Sequence, residues 1–202
     1  EISVIYWYIG IFLDFPLETA EDKMYNNKSK CLFGSENMID YRTSGVLMHI
    51  SSLPGKFAAG VMGSEARKFV DKLCEMGFHM WQVLPLNPVD PTGSPYCSLS
   101  AFAGNIALID PYQLMEKGLI NSAELDKNVY DGSVYRTDFE FSYTTRLETL
   151  KAAFRNVSAQ EKELISLFSQ QNSWVKDYAL FMALKDFYND KPWWEWDEKH
   201  AR

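Results

Sequence analysis

"GVLMHISSLPGKFAAGVMGSEARKFVDKLCEMGFHMWQVLPL" (residues 45–86) is the stretch that decides the fold. It opens on a short apolar run, residues 45–50, with the composition of a buried strand. Residues 51–63 are rich in glycine and small side chains, the composition of a loop. Ser64 suits a helix N-cap, and Glu65 sets a negative charge against the positive end of the helix dipole. Ala66, Phe69, Val70, Leu73 and Cys74 then recur at helical spacing, and Gly77 stands where a helix is closed. A second apolar run, "FHMWQVLPL" (78–86), completes the pattern, with Trp81 and His79 expected to pack. Strand, loop, helix and strand in this order predict a βαβ unit, hence an α/β fold with parallel strands and a helix laid on the sheet.

In such a unit the loops that follow the strands emerge on one side, the rim where α/β folds bind ligands. Residues 51–63 and 87–105 are therefore expected to face one another. The second loop, "NPVDPTGSPYCSLSAFAGN", holds three prolines and two glycines, more than a simple connection needs. Its Tyr96 lies between "SP" and "CS", away from any strand core. An amphipathic ring there can stack on a sugar face while its hydroxyl hydrogen-bonds a sugar oxygen; the competing expectation is a tyrosine packed on the scaffold. His49, at a strand end, fits a rim contact and a satisfied core histidine equally. Asp90 reads as part of a turn and Asp110 as a helix cap, so no carboxylate pair is assigned to catalysis.

Past the loop, residues 105–110 read as a short extended piece. Asp110 with Pro111 behind it predicts a helix start, and Gly118 its end. Residues 121–141 read as connecting structure. Three helices are expected afterwards. Residues 143–155 turn Leu147, Leu150 and Phe154 to one side. A second helix follows the capping box "SAQE" (158–161) with Leu164, Ile165 and Phe168 inward, and a third, 174–188, carries Val175, Tyr178, Ala179 and Met182 inward. The division expected is residues 41–120 for the βαβ part and 121–202 for a helical subdomain or insertion. Residues 1–40 form an unassigned amino-terminal extension, whose twelve apolar or small residues (2–13) are too few to cross a bilayer.

Composition removes several classes. The net charge is −7 and Lys and Arg are scattered singly, which argues against a nucleic-acid partner. Three cysteines without a CxxC and three dispersed histidines support neither a disulfide framework nor a zinc site, and a reducing, cytoplasmic compartment is expected. "GKFAAGVMGSE" has neither phosphate-loop nor dinucleotide spacing. No cofactor, metal or membrane partner is expected. Cys97 and the loop serines lack a neighbouring base, so nucleophilic catalysis by them is not assigned.

"SGVLMHISSLPG", "GSEARKFVDKLCEMGFHMWQVLPLNP", "GSPYCSLSAFAGN", "LID" and "DYALFMALK" together resemble the amino-terminal part of the amylomaltases, the 4-α-glucanotransferases related to plant disproportionating enzyme. The resemblance runs over residues 43–196. It implies the first portion of a (β/α)8 barrel with a helical insertion, and transfer of α-1,4-glucan segments between maltooligosaccharides by a retaining double displacement without metal. It also implies sugar-binding roles for Tyr96, the donor-site tyrosine of the "SPY" motif, and for Ser94 beside it, and extends to Ser98 and Asn105.

Two departures stand out. Cys97 follows "SPY" where glutamine is common, and "DPTG" lacks an aromatic that some members carry. The resemblance places the catalytic Asp nucleophile, Glu acid/base and second Asp on later barrel strands, and no segment here matches their motifs. The expectation is an amino-terminal fragment that is inactive by itself, poorly soluble or dimeric. The rival expectation is a non-catalytic α-glucan-binding module using Tyr96 and nearby tryptophans.

Overall fold

The computed structural model describes residues 42–200, so the extension expected over residues 1–40 lies outside the described residues. Strand β1 (Gly45–Leu47) pairs in parallel with β2 (Met80–Gln82), with Val46 opposite Trp81. Helix α1 (Ser64–Glu75) joins them, which is the expected βαβ order. The strands are shorter than the apolar runs. Residues 50–52 turn into a 3-10 helix, because Gly60 N–H donates to Ser51 O and Leu53 N–H to Ile50 O, drawing the chain out of the ladder.

Among the described residues, the packing lies on one face of the sheet. Phe69 of α1 meets Trp81 edge to face at 5.0 Å, and Trp81 Nε1 donates to Met48 O at 2.7 Å. Ile50, Leu53, Ala66 and Leu108 form the buried centre beneath them. Leu47 and Met80 point the other way and are exposed. The strands are therefore half-buried, not buried as their composition suggested, since apolar content alone does not say how many faces are covered. His79, expected to pack, is also exposed; its backbone N–H extends the pairing to Ser44 O instead.

Helix α1 begins one residue earlier than the Ser64 N-cap assignment implied. Gly63 is the cap and Ser64 the first helical residue. The cap position is one that only glycine fits, since a Cβ on Gly63 would collide with the carboxylate of Asp110. Asp110 itself caps helix α2 (Pro111–Glu116), its Oδ1 accepting from Tyr112 N–H at 2.9 Å, with Pro111 in the first turn. One buried carboxylate thus lies at the start of two helices, where the dipoles favour negative charge. Gly77 and Gly118 take φ of +79° and +71° just past α1 and α2, as their positions required. Residues 106–108 are a 3-10 turn capped by Asn105, not an extended piece.

The remaining layer is helical: α3 (Ser122–Asp126), α4 (Phe139–Arg155), α5 (Ala159–Gln171) and α6 (Trp174–Phe187). Helix α3 lies in a stretch expected to be connecting structure; its signal was the box Asn121–Glu124, in which side chain and backbone cap each other. Helix α4 starts at Phe139, four residues earlier than expected, because Asp138 caps it through Phe141 N–H. The "SAQE" box forms as expected at Ser158 and Glu161. Leu150, Ile165, Val175, Tyr178 and Ala179 are buried, whereas Leu164 faces solvent. Leu114, Leu150, Ile106, Ile165 and Tyr178 share one core, so packing runs continuously from residue 103 to residue 178.

Candidate functional site

The loops behind β1 and β2 are both held by the start of α4. Thr137 Oγ1 donates to Ser51 O at 3.2 Å and Asp138 N–H to Ala58 O at 3.0 Å. One residue further on, the Phe139 ring packs against Gly93 of the second loop, where a Cβ would stand 3.1 Å from Cδ2. The two loops are thus brought to a common helix end at the carboxyl side of the parallel pair, the rim the βαβ order called for.

The loop of residues 87–105 is fastened at three further places. At its foot, Asn87 Nδ2 donates to Ser100 O at 3.0 Å and Ala103 O at 3.3 Å, while Asn105 N–H donates to Leu86 O at 2.8 Å. On one flank, Asp90 Oδ1 accepts from Thr92 N–H, Thr92 Oγ1 and Ser94 N–H at 3.0, 2.7 and 2.8 Å. These donors hold the Asp90 carboxyl below the usual carboxylate range, the Thr92 hydroxyl first among them. On the other flank, Phe102 stacks on Trp174 at 5.8 Å. What remains between the fastenings is the segment that carries Tyr96.

Tyr96 is 72% exposed, so its ring is not packed on the scaffold. Its N–H donates to Ser94 Oγ at 3.3 Å, and Ser94 is half-buried beneath it. Cys97 is exposed alongside. The other sequence-derived candidates are placed differently. Ser98 turns its hydroxyl inward and donates to Ser100 O at 2.8 Å. Asn105 is buried; its Oδ1 caps the following turn through Ala107 N–H at 2.9 Å, and its Nδ2 is left without a partner. His49 is buried too, its Nδ1 unpartnered and its pKa lowered by loss of water around the ring. The structure therefore joins Tyr96 and Ser94 at the exposed tip, ties Ser98 into the loop's own hydrogen bonding, and buries Asn105 and His49.

Asn87, Phe102, Trp174 and Phe139 carried no sequence signal, because each acts across 13 or more residues of chain or through a ring contact that no spacing rule describes. Among the described residues, no three His, Cys, Asp or Glu side chains converge as a metal site would require. No described helix is long and apolar enough to cross a membrane. A cleft of about 240 Å³ between α3 and α4, lined by Glu124, Lys127, Glu148, Thr149, Lys151 and Arg155, shares no residue with the two loops.

A parallel βαβ unit backed by helices, with an aromatic loop tip at its strand ends, defines an α/β scaffold of the kind that holds ligands at the carboxyl rim. Residues 48–202 match the family model described as 4-alpha-glucanotransferase, and the chain belongs to that family. It is 42% identical over 164 residues to the 4-alpha-glucanotransferase of Aquifex aeolicus, covering 80% of this chain and 32% of that protein. The Thermus thermophilus 4-alpha-glucanotransferase is also 42% identical, over 160 residues, covering 77% and 31%. In structure the chain is similar to the amylomaltase from Streptococcus agalactiae in complex with acarbose. The TM-score is 0.74 at 38% identity, over 79% of this chain and 32% of that one. The chain thus spans about a third of the length of the relatives it matches.

Proposed function

We propose that this chain supplies one wall of the glucan groove of a 4-α-glucanotransferase, which moves α-1,4-linked segments from one maltooligosaccharide to another with retention of configuration. The observation that carries it is the exposed ring of Tyr96 at the tip of a loop fastened on both flanks. A flat apolar face with a hydroxyl at its edge, held still at the rim of a parallel unit, suits a pyranose better than a charged ligand. The acarbose complex of the Streptococcus agalactiae relative supports an oligosaccharide as the occupant.

In this proposal β1, α1 and β2 are the first unit of a (β/α)8 barrel, and α3 to α6 are inserted among its later units. Tyr96 stacks on a donor sugar and Ser94 hydrogen-bonds it. His49, Ser98 and Asn105 stand behind them, with the unpartnered Nδ2 of Asn105 and Nδ1 of His49 buried away from solvent. Retaining transfer needs a nucleophile and an acid/base about 5–5.5 Å apart. Asp90 and Asp110 do not provide them, being engaged as a turn acceptor and a helix cap. The pair comes from later strands of the barrel. The three widely spaced cysteines fit a cytoplasmic setting.

A titration of the chain with maltoheptaose, followed by NMR through backbone amides of the loop present in parent and variant alike, tests the wall. Weak binding that falls about fivefold in Tyr96→Ala, the loss of one stacking contact, is expected. Equal binding by the variant would overturn the proposal. Exposed Trp193 and Trp194 favour a second reading, a glucan-binding module without chemistry. Calorimetry separates the two, since about micromolar affinity from this chain alone exceeds what one groove wall should give.

A further inference from the structure

Asp90 closes the turn that leads directly into the exposed tyrosine. Its Oδ1 gathers three donors, the N–H groups of Thr92 and Ser94 and the Thr92 hydroxyl, all within 3.0 Å. Its backbone completes the same turn: Gly93 N–H donates to Asp90 O at 2.9 Å, and Asp90 N–H to Ser94 O at 3.3 Å. Gly93 at the centre takes φ +84° and is pressed against Phe139. Ser94 leaves this closed ring with its backbone fixed, and its Oγ accepts the N–H of Tyr96. A line of hydrogen bonds therefore runs from the Asp90 carboxylate through Ser94 to the backbone of the exposed tyrosine.

We propose that Asp90 is a positioning residue for the groove: it touches no sugar, and it fixes Ser94 and, through Ser94 Oγ, the direction in which Tyr96 presents its ring. The proposal rests on the groove function above. Prepositioning matters because a loop that must order itself on binding gives up part of its affinity in conformational entropy. The requirement is geometric. One acceptor oxygen at the distance of an Asp or Asn side chain reaches N–H groups two and four residues on. A glutamate of equal charge puts that oxygen one methylene too far.

The test uses the 202-residue chain with Asp90→Ala, Asp90→Asn and Asp90→Glu, alongside Tyr96→Ala. Hydrogen exchange of the Thr92 and Ser94 amides reads the clamp, and maltoheptaose titration reads the groove. Expected are about tenfold faster exchange in Asp90→Ala, as for loss of a charge-assisted hydrogen bond, and a several-fold weaker maltoheptaose affinity. Asn at 90 should return both to within about twofold, since its Oδ1 accepts in the same place, and Glu should behave like Ala.

Unchanged exchange in Asp90→Ala overturns the clamp. So does rescue by Glu equal to rescue by Asn, which would make any side-chain acceptor oxygen sufficient and its reach immaterial. Faster exchange with unaltered maltoheptaose affinity overturns the positioning role. If Tyr96→Ala also binds like the parent chain, the groove itself is refuted, and the exchange data still report on the clamp independently.

Discussion

Gly93 and Phe139 meet where the proline-rich loop joins the helical layer, so closely that a Cβ on the glycine would stand 3.1 Å from Cδ2 of the ring. Gly93 is also at φ +84°, where an L side chain is strained. Both constraints fall on the turn that Asp90 closes. Gly93→Ala should therefore cost stability, about 1–2 kcal/mol for a residue forced into that region, and loosen residues 90–94 more than the rest of the chain. Urea unfolding gives the first quantity and amide exchange the second. A variant as stable as the parent, with an unchanged exchange pattern, would show that the loop can shift away from α4 at no cost.

Among the described residues Arg146 is the largest side chain buried outright, with its Cζ 5.2 Å from the centre of the Phe57 ring and its Nη1 donating to Asn128 Oδ1 at 2.7 Å. Burial pushes its pKa down to about 9, against the attraction of Asp110. It lies at the junction between the first loop, through Phe57, and helix α4. Arg146→Ala leaves a cavity and a buried Asn128 acceptor without its donor, and should destabilise by about 3 kcal/mol. Arg146→Met refills the volume and should lose less. Equal losses in the two variants, measured by denaturant unfolding, would show that volume is immaterial and the lost donor alone matters.

Much of this architecture was legible in local patterns. The βαβ order, the Asp110–Pro111 start, the Gly77 and Gly118 stops and the Ser158–Glu161 box each depend on residues within a few positions of one another, and each formed. Misses came where a distant group decided. The cap fell on Gly63, not Ser64, at a position set against the distant Asp110 carboxylate. Leu47 and Met80 looked buried because alternation and apolar content cannot report a missing cover. In the loop, Tyr96 and Ser94 could be singled out from "SPY", but the fastenings that aim them, Asn87 to Ser100 and Phe102 to Trp174, join parts of the chain that only the fold brings together.

His49 makes stability depend on pH with a definite sign. Its folded pKa lies below the ordinary 6.5, because burial disfavours the imidazolium. The unfolded chain then binds the proton more readily, so stability is lost as pH falls from 6.5 through the folded value and is unaffected above it. Asp110 acts in another window and with the opposite sign: burial raises its carboxyl above 3.8, so its ionisation lowers stability as pH climbs past that value. Thermal unfolding at about pH 7.5 and about pH 5.5 should show a larger drop for the parent chain than for His49→Gln, which has no proton to take up there. Identical drops would mean that the ring is protonated in the fold as easily as in water.

The uncovered face of the two-stranded sheet has its own consequence. Leu47 is 60% and Met80 40% exposed, and with only two strands paired among the described residues, strand edges stand open beside them. Open edges flanked by apolar side chains recruit further strands, from the same chain or from another copy. The 202-residue chain should therefore associate at concentrations of about 10 µM and above, in the range where exposed edges and apolar surface drive aggregation. Leu47→Lys and Met80→Glu should suppress that association without loosening the core, because neither side chain belongs to the buried cluster around Ile50 and Ala66. Sedimentation velocity across a concentration series decides it. A parent chain that stays monomeric throughout, or a double variant that associates as strongly, would show that this face is not the sticky one.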